Sequence, residues 1–457
     1  MTWLPRRDRA LLDYRTRVRT RLRPLATIRV LALCAAASFA AVGIASAGAS
    51  VSARSAAPLG GVNVVGLNYG SSAAQADRDV ATARRLHAKI IRTEVPWAVL
   101  EPSGPNQVDP QALAFTDRLI GDAAGAGMTV IATVGNTPCW ASSAPASLLK
   151  NCSTTRLTPG NAWSPRDPAR YAAFVAFLAH RYGSRLAIEI WNEPDQANEL
   201  YFGGPEKARR YAELLRAAYP AIKHANPNVR VLAGSLVGSN GIFLRALYAA
   251  GIRGYYDGLA VHYYSLTLDA LRSIRQVQLA NGDTKPLWLD EFGWSSCWPR
   301  HRIEEEQACV TAAIQAMDVT NMFRTLARTS YVAAEVIFQL RDSANEEFGV
   351  VSTEGARKPA FTALAGALAS PFGRVSQVEL HLKRRGDHVV ASGSGPVGDL
   401  MRLEVLKGGM LRYRAVFVLD RFNRYSLALP RVLGTRALKV RVFQYWAGPG
   451  RAAQKTI

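Results

Sequence analysis

Ala187-Ile188-Glu189-Ile190-Trp191-Asn192-Glu193-Pro194 and Leu287-Trp288-Leu289-Asp290-Glu291-Phe292-Gly293 are two apolar, strand-like runs. Each ends in a carboxylate and is stopped at once by Pro or Gly. Period-two alternation groups Glu189 and Trp191 with Glu193, and Leu287 and Leu289 with Glu291. A carboxylate at the end of such a run is costly to bury unless it is paired or hydrogen-bonded. Two of them at two strand ends meet the requirement of glycosidic bond cleavage. One donates a proton to the leaving oxygen, and the other attacks, or activates water, at the anomeric carbon. A solvated loop glutamate is the alternative for either residue alone.

Outward from these runs, strand-like and helix-like segments alternate. Strands are expected at 62–67, 90–94, 129–134, 187–191, 229–233, 258–262, 287–291 and 332–339. Helices with apolar residues at three-to-four spacing are expected at 73–86, 110–126, 168–182, 206–224, 242–250, 268–281, 304–328 and 358–369. This alternation predicts a (β/α)8 TIM barrel over 59–371. A doubly wound open sheet would carry a Gly-rich phosphate loop after its first strand, and Gly66-Leu67-Asn68-Tyr69-Gly70 is not one. Residues 372–457 change character: short strand-like stretches at 378–382, 388–392, 401–406, 412–419, 426–429 and 438–445 predict a small C-terminal all-β sandwich.

The net charge of +21 suggests a nucleic-acid binder until its distribution is read. Residues 1–29 carry nine Arg against Asp8 and Asp13, and 372–457 carry 16 Lys+Arg against 5 Asp+Glu. Residues 59–371 hold 30 against 28 and are nearly neutral. No nucleic-acid signature, phosphate loop or metal-ligand cluster accompanies the charge, so neither a nucleic-acid partner nor a cofactor is implied. The 1–29 segment reads as a basic tail. Residues 30–58 read as a signal peptide or membrane anchor plus linker, with the apolar run 30–47 as the possible anchor. Either reading places the rest outside the cytoplasm, secreted or anchored to the cell membrane. The basic C-terminal domain suits contact with an anionic envelope. Cys34 lies in the apolar run; the other cysteines form two close pairs, Cys139/Cys152 and Cys297/Cys309. Two local disulfides are expected in an exported chain, with free thiols as the alternative.

On these motifs the chain resembles the retaining glycoside hydrolases of the (β/α)8 clan (clan A), and is most similar to family 39-like and family 5-like members. Trp191-Asn192-Glu193-Pro194 looks like the acid/base signature of the fourth strand, and Asp290-Glu291-Phe292-Gly293-Trp294 like the nucleophile strand. Arg92, followed by Trp97 and Glu101-Pro102, resembles the second-strand arginine segment; His262-Tyr263-Tyr264 resembles the sixth-strand segment facing the nucleophile. The resemblance implies Glu193 as acid/base and Glu291 as nucleophile, with Arg92, Trp97, Asn192, His262, Tyr264 and Trp294 binding substrate. Each has a plainer alternative. Arg92 could pair with Glu94, His262 could be a core histidine, and the tryptophans could be packing. Asp290, one residue from Glu291, alternates to the opposite face and reads as structural. The clan's tryptophan at the end of strand eight is missing; Phe338 or Gln339 stands there.

The expected function is an extracytoplasmic retaining glycoside hydrolase acting on a polysaccharide or oligosaccharide. A transglycosylase, or a non-catalytic carbohydrate-binding protein on a degenerate barrel, are the alternatives.

Overall fold

In a computed structural model, described residues are 58–64, 72–237, 241–264, 269–298, 309–326, 329, 331–344, 346–369, 378–395, 400–419, 424–444 and 452–457. The basic tail and the apolar run 30–47 lie outside them. No described helix is long and apolar enough to cross a membrane.

Eight parallel strands close a barrel: β1 (Leu59–Asn63), β2 (Ile90–Glu94), β3 (Thr129–Val134), β4 (Leu186–Ile190), β5 (Arg230–Leu236), β6 (Gly258–His262), β7 (Leu287–Phe292) and β8 (Val332–Ile337). β8 pairs back onto β1, with Gly61 opposite Val336. The connecting helices begin where the sequence caps them. Asp109 accepts from the amides of Gln111 and Ala112 ahead of Pro110, and Asp167 caps Pro168–Tyr182 in the same way. β1 begins three residues earlier than expected, because Leu59, Gly60 and Gly61 belong to the strand. A Cβ at Gly61 would meet the Ile90 carbonyl oxygen at 2.4 Å, so bare backbone is what lets β1 lie against β2.

The strands' outward side chains, with the inner faces of the helices, form the main core. The barrel's interior is filled in layers. Ile90, Ile131, Ala187, Leu232, Ala260, Trp288, Ala334 and Val336 make an apolar floor. Two residues further along the same strands the interior becomes polar: Arg92, Glu189, His262 and Asp290 are all buried.

This layering corrects the expected faces of β7. Leu287 and Leu289 belong to the outer core and Trp288 to the floor. Asp290, two positions beyond Trp288, therefore faces inward. The ladder slips here: Val261 pairs with Leu289, but the next residue, His262, pairs with Glu291. β7 thus holds one extra residue, a bulge that re-aims the side chain after it. Asp290 and Glu291 consequently both reach the centre.

The C-terminal strands are β9 (His381–Arg385), β10 (His388–Ser394), β11 (Leu400–Lys407), β12 (Met410–Val418), β13 (Arg424–Ala428), β14 (Leu438–Gln444) and β15 (Ala453–Thr456). They form a three-stranded sheet, β13-β10-β9, and a four-stranded sheet, β12-β11-β14-β15. Val389 and Ala391 from one sheet and Met401, Leu403, Val405, Val440 and Val442 from the other build a core of their own. Their every-other-residue spacing is the sandwich pattern. The barrel and these sheets belong to one compact unit, Ser55–Ile457.

Candidate active site

Arg92 organises the carboxyl end of the barrel. Its Nε and Nη2 each donate to Glu189 at 2.9 Å, and Nη1 donates to Glu291 Oε1 at 2.7 Å. Further bonds run to Asn63 Oδ1 at 3.0 Å, Asn192 Oδ1 at 2.7 Å and Ser235 Oγ at 3.2 Å. A buried guanidinium survives only with such complete pairing. Burial would lower its proton affinity; Glu189, Asp290 and Glu291 outweigh that and hold Arg92 well above its ordinary value. Burial likewise pushes Glu189 upward, but the Arg92 charge wins and keeps it ionised below the usual range. Ser235 and Thr133 also donate to Glu189, at 2.6 and 3.4 Å. Arg92 therefore does not take Glu94 as its principal partner.

Glu291 receives a second bond from Tyr264 Oη at 2.8 Å. Glu193 Oε1 lies 2.7 Å from His262 Nδ1, which is also 3.2 Å from Glu291 Oε2. Donor atoms of Glu193, His262 and Glu291 all fall within 4.8 Å of one another, so the two carboxylates meet across one short gap. Both are 8 % exposed, enough for their tips to reach a cleft. The chain delivers Glu193 by leaving regular geometry after β4: Trp191 and Glu193 take φ of 71° and 46°, in the left-handed region. A non-glycine residue there costs about 1–3 kcal/mol and marks a backbone held for a purpose.

The remaining expected site residues divide. Asn192 is half-buried and docked on Arg92; Tyr264, 40 % exposed, forms part of the rim. Burial of its hydroxyl end, and then the charge of Glu291, push that hydroxyl well up, so Tyr264 stays a donor. Trp97 is wholly buried: its indole N–H binds Glu101 and its ring stacks on Phe174. Trp294 is 5 % exposed and sits edge-on to Phe292. Neither offers a free ring face to a sugar, so both expected platforms are corrected to packing. Trp191 is buried likewise. Of the candidates at the end of β8, Phe338 meets Tyr264 and Phe348 edge-on, whereas Gln339 is buried. Both expected disulfides are formed, Cys139–Cys152 after β3 and Cys297–Cys309 after β7.

Tyr201 was not legible in the sequence. It is 38 % exposed, in the loop that also supplies the carbonyl binding the Trp191 indole N–H. Burial and then the charges of Glu193 and Glu291 push its hydroxyl up to about 12. Two trios, Glu189–His262–Asp290 and Glu193–His262–Glu291, bring metal-type donors together. Arg92 bonds to both trios through Glu189 and Glu291, so a cation would compete with a guanidinium already in place.

The sequence pattern of the cellulase family, glycosyl hydrolase family 5, matches residues 52–321, more than half of the chain. The chain belongs to that family. It is a glycosidase, and its substrate is a carbohydrate. No curated protein matches it. Among solved structures the glycosidase is similar to a family 39 glycoside hydrolase from the gut symbiont Bacteroides cellulosilyticus WH2. That likeness has 16% identity and a TM-score of 0.52, over 85% of this chain and 81% of that one. A family 39 β-xylosidase from Caulobacter crescentus is similar at 17% identity and a TM-score of 0.51, over 86% and 98% of the two chains. These likenesses show the fold.

Proposed function

We propose that the enzyme cleaves O-glycosidic bonds of an oligosaccharide or polysaccharide by double displacement with retention. The observation that carries this reading is the spacing of Glu193 and Glu291, whose facing oxygens lie within 4.8 Å. Retaining enzymes hold their carboxyl groups about 5–5.5 Å apart, and inverting ones about 6.5–9.5 Å apart to admit a water. Glu291, anchored by Arg92 and Tyr264, attacks the anomeric carbon. Glu193 protonates the departing oxygen and then takes a proton from the water that releases the sugar. Asn192, fixed through its carbonyl oxygen to Arg92, keeps its amide N–H groups for a sugar hydroxyl. Tyr201 and Phe338 supply apolar surface to the ring.

The basic tail, the apolar run and the two disulfides support an extracytoplasmic location, with 59–371 as the catalytic domain and 372–457 as its companion. On the four-stranded sheet Arg402, Arg414 and Arg441 converge on Glu404, leaving an excess of positive charge suited to an anionic polymer. The test is the anomeric configuration of the first product, followed by NMR as an aryl glycoside is hydrolysed. Retention is expected; a first product of inverted configuration overturns the reading.

A further inference from the structure

Asp290 has chemistry that the carboxylate pair does not use. It is fully buried, and the groups that face its side chain come from three other strands and its own: Arg92 of β2, Glu189 of β4, His262 of β6 and adjacent Glu291. Asn63 of β1 binds its backbone carbonyl, while Thr133 of β3 and Ser235 of β5 direct their hydroxyls to Glu189. Arg92 sets one positive charge against three carboxyl groups. Glu189 takes it two-pronged and Glu291 takes Nη1; Asp290 receives a 3.3 Å approach from the Nε already bonded to Glu189. Away from water, the least supported carboxyl keeps its proton. Burial, and then the charge of Glu189, push Asp290 well up, in agreement.

The O–H needs an acceptor. Glu189 is within hydrogen-bonding reach of it, but both Glu189 oxygens already accept from Arg92 and from a hydroxyl. His262 Nε2 is buried without a partner, as are both Asp290 oxygens, and Oδ1 lies 3.9 Å from that nitrogen. Closing the gap by about 1 Å, a small turn of the carboxyl, makes a normal hydrogen bond. Across the ring, Nδ1 faces Glu193 and Glu291.

We propose, on the double-displacement reading above, that Asp290 is a positioning residue that stays protonated and donates to His262 Nε2. This fixes the imidazole with its proton on Nδ1, aimed at Glu193 and Glu291. An ionised Asp290 would draw the proton to Nε2 and leave Nδ1 as an acceptor, competing with the leaving group for the proton of Glu193. The neutral acid prevents that state. The role requires a donor at position 290 and not a charge, which separates it from a counter-ion role for Arg92.

The test has two arms. Nitrogen-15 NMR of the full-length enzyme, with His262 assigned by comparison with His262→Gln, is expected to show a protonated Nδ1 and an unprotonated Nε2 at neutral pH. A proton on Nε2 overturns the proposal. In kinetics, Asp290→Asn keeps a donor and is expected to remain within about threefold of wild-type kcat. Asp290→Leu, which leaves buried Nε2 without a donor, loses roughly ten- to hundredfold in kcat with KM little changed, the range for a buried acceptor left unsatisfied. Equal losses in Asn and Leu variants overturn it as well. Failure of the double-displacement reading shows elsewhere, as a first product of inverted configuration or as retained activity in Glu291→Ala. The NMR arm stands apart from activity.

Discussion

Arg92→Met removes the guanidinium and keeps much of the side chain's volume. Arg92 is 4 % exposed and donates two bonds to fully buried Glu189 and one to Glu291. The substitution leaves Glu189 as an uncompensated interior charge. Breaking a buried pair from one side costs about 3–5 kcal/mol, a large share of the roughly 5–15 kcal/mol that holds a folded protein together. Replacing Glu189 by Gln in the same chain removes the stranded charge, so the double variant recovers part of the loss. A denaturant-unfolding cycle on wild type, both single variants and the double measures the coupling, expected above about 1.5 kcal/mol for contacting charges. Activity follows differently. The double variant regains stability but not turnover, because Glu291 still lacks its cation. A single-variant loss below about 1 kcal/mol, or additive losses, refutes the view that this ion pair organises the barrel's interior.

Glu335 is buried on β8 and its carboxyl is pushed well up by burial. An acid raised in the folded state lends stability that is present below the unfolded carboxylate pKa and lost as pH rises through the folded one. Glu335→Gln is therefore expected to flatten the decline of thermal stability above about pH 4, measured by melting across pH; an unchanged slope contradicts the assignment. The Cys139–Cys152 bond closes a loop with a sequence separation of 13. Cys139→Ser with Cys152→Ser is expected to lower unfolding free energy by about 3 kcal/mol in the chain-entropy picture, read by denaturant unfolding; unchanged stability contradicts it.

Much of the barrel was legible because most strands are apolar runs ended by Pro, Gly or a charged residue, and each long helix has an apolar stripe. What stayed hidden follows from the barrel's geometry. Both faces of its strands are buried, one against helices and one against the interior, so alternation does not tell inside from outside. Alternation put Leu289 on the side of Glu291, yet Leu289 packs in the outer core and the interior at that height holds Arg92, Glu189 and Asp290. Glu189 had the right parity for the site, but a charge in an apolar run gains meaning only when Arg92 arrives from a strand 97 residues away. The bulge in β7 leaves no mark in Leu-Asp-Glu-Phe, and so the shared inward turn of Asp290 and Glu291 was missed. Trp97 looked like a platform because it follows a strand end; the indole partner at Glu101 shows it to be the floor of a loop. β15, Ala453–Thr456, is a polar edge strand whose composition gives no strand signal.

The most direct trial is covalent. Incubation with activated 2-deoxy-2-fluoro glycosides of several sugars, followed by peptide mass mapping, is expected to place one sugar on the peptide that contains Glu291. The label should vanish in Glu291→Gln and persist in Glu193→Ala. A sugar attached to any other residue, or rapid turnover of a cognate glycoside by Glu291→Gln, contradicts the account.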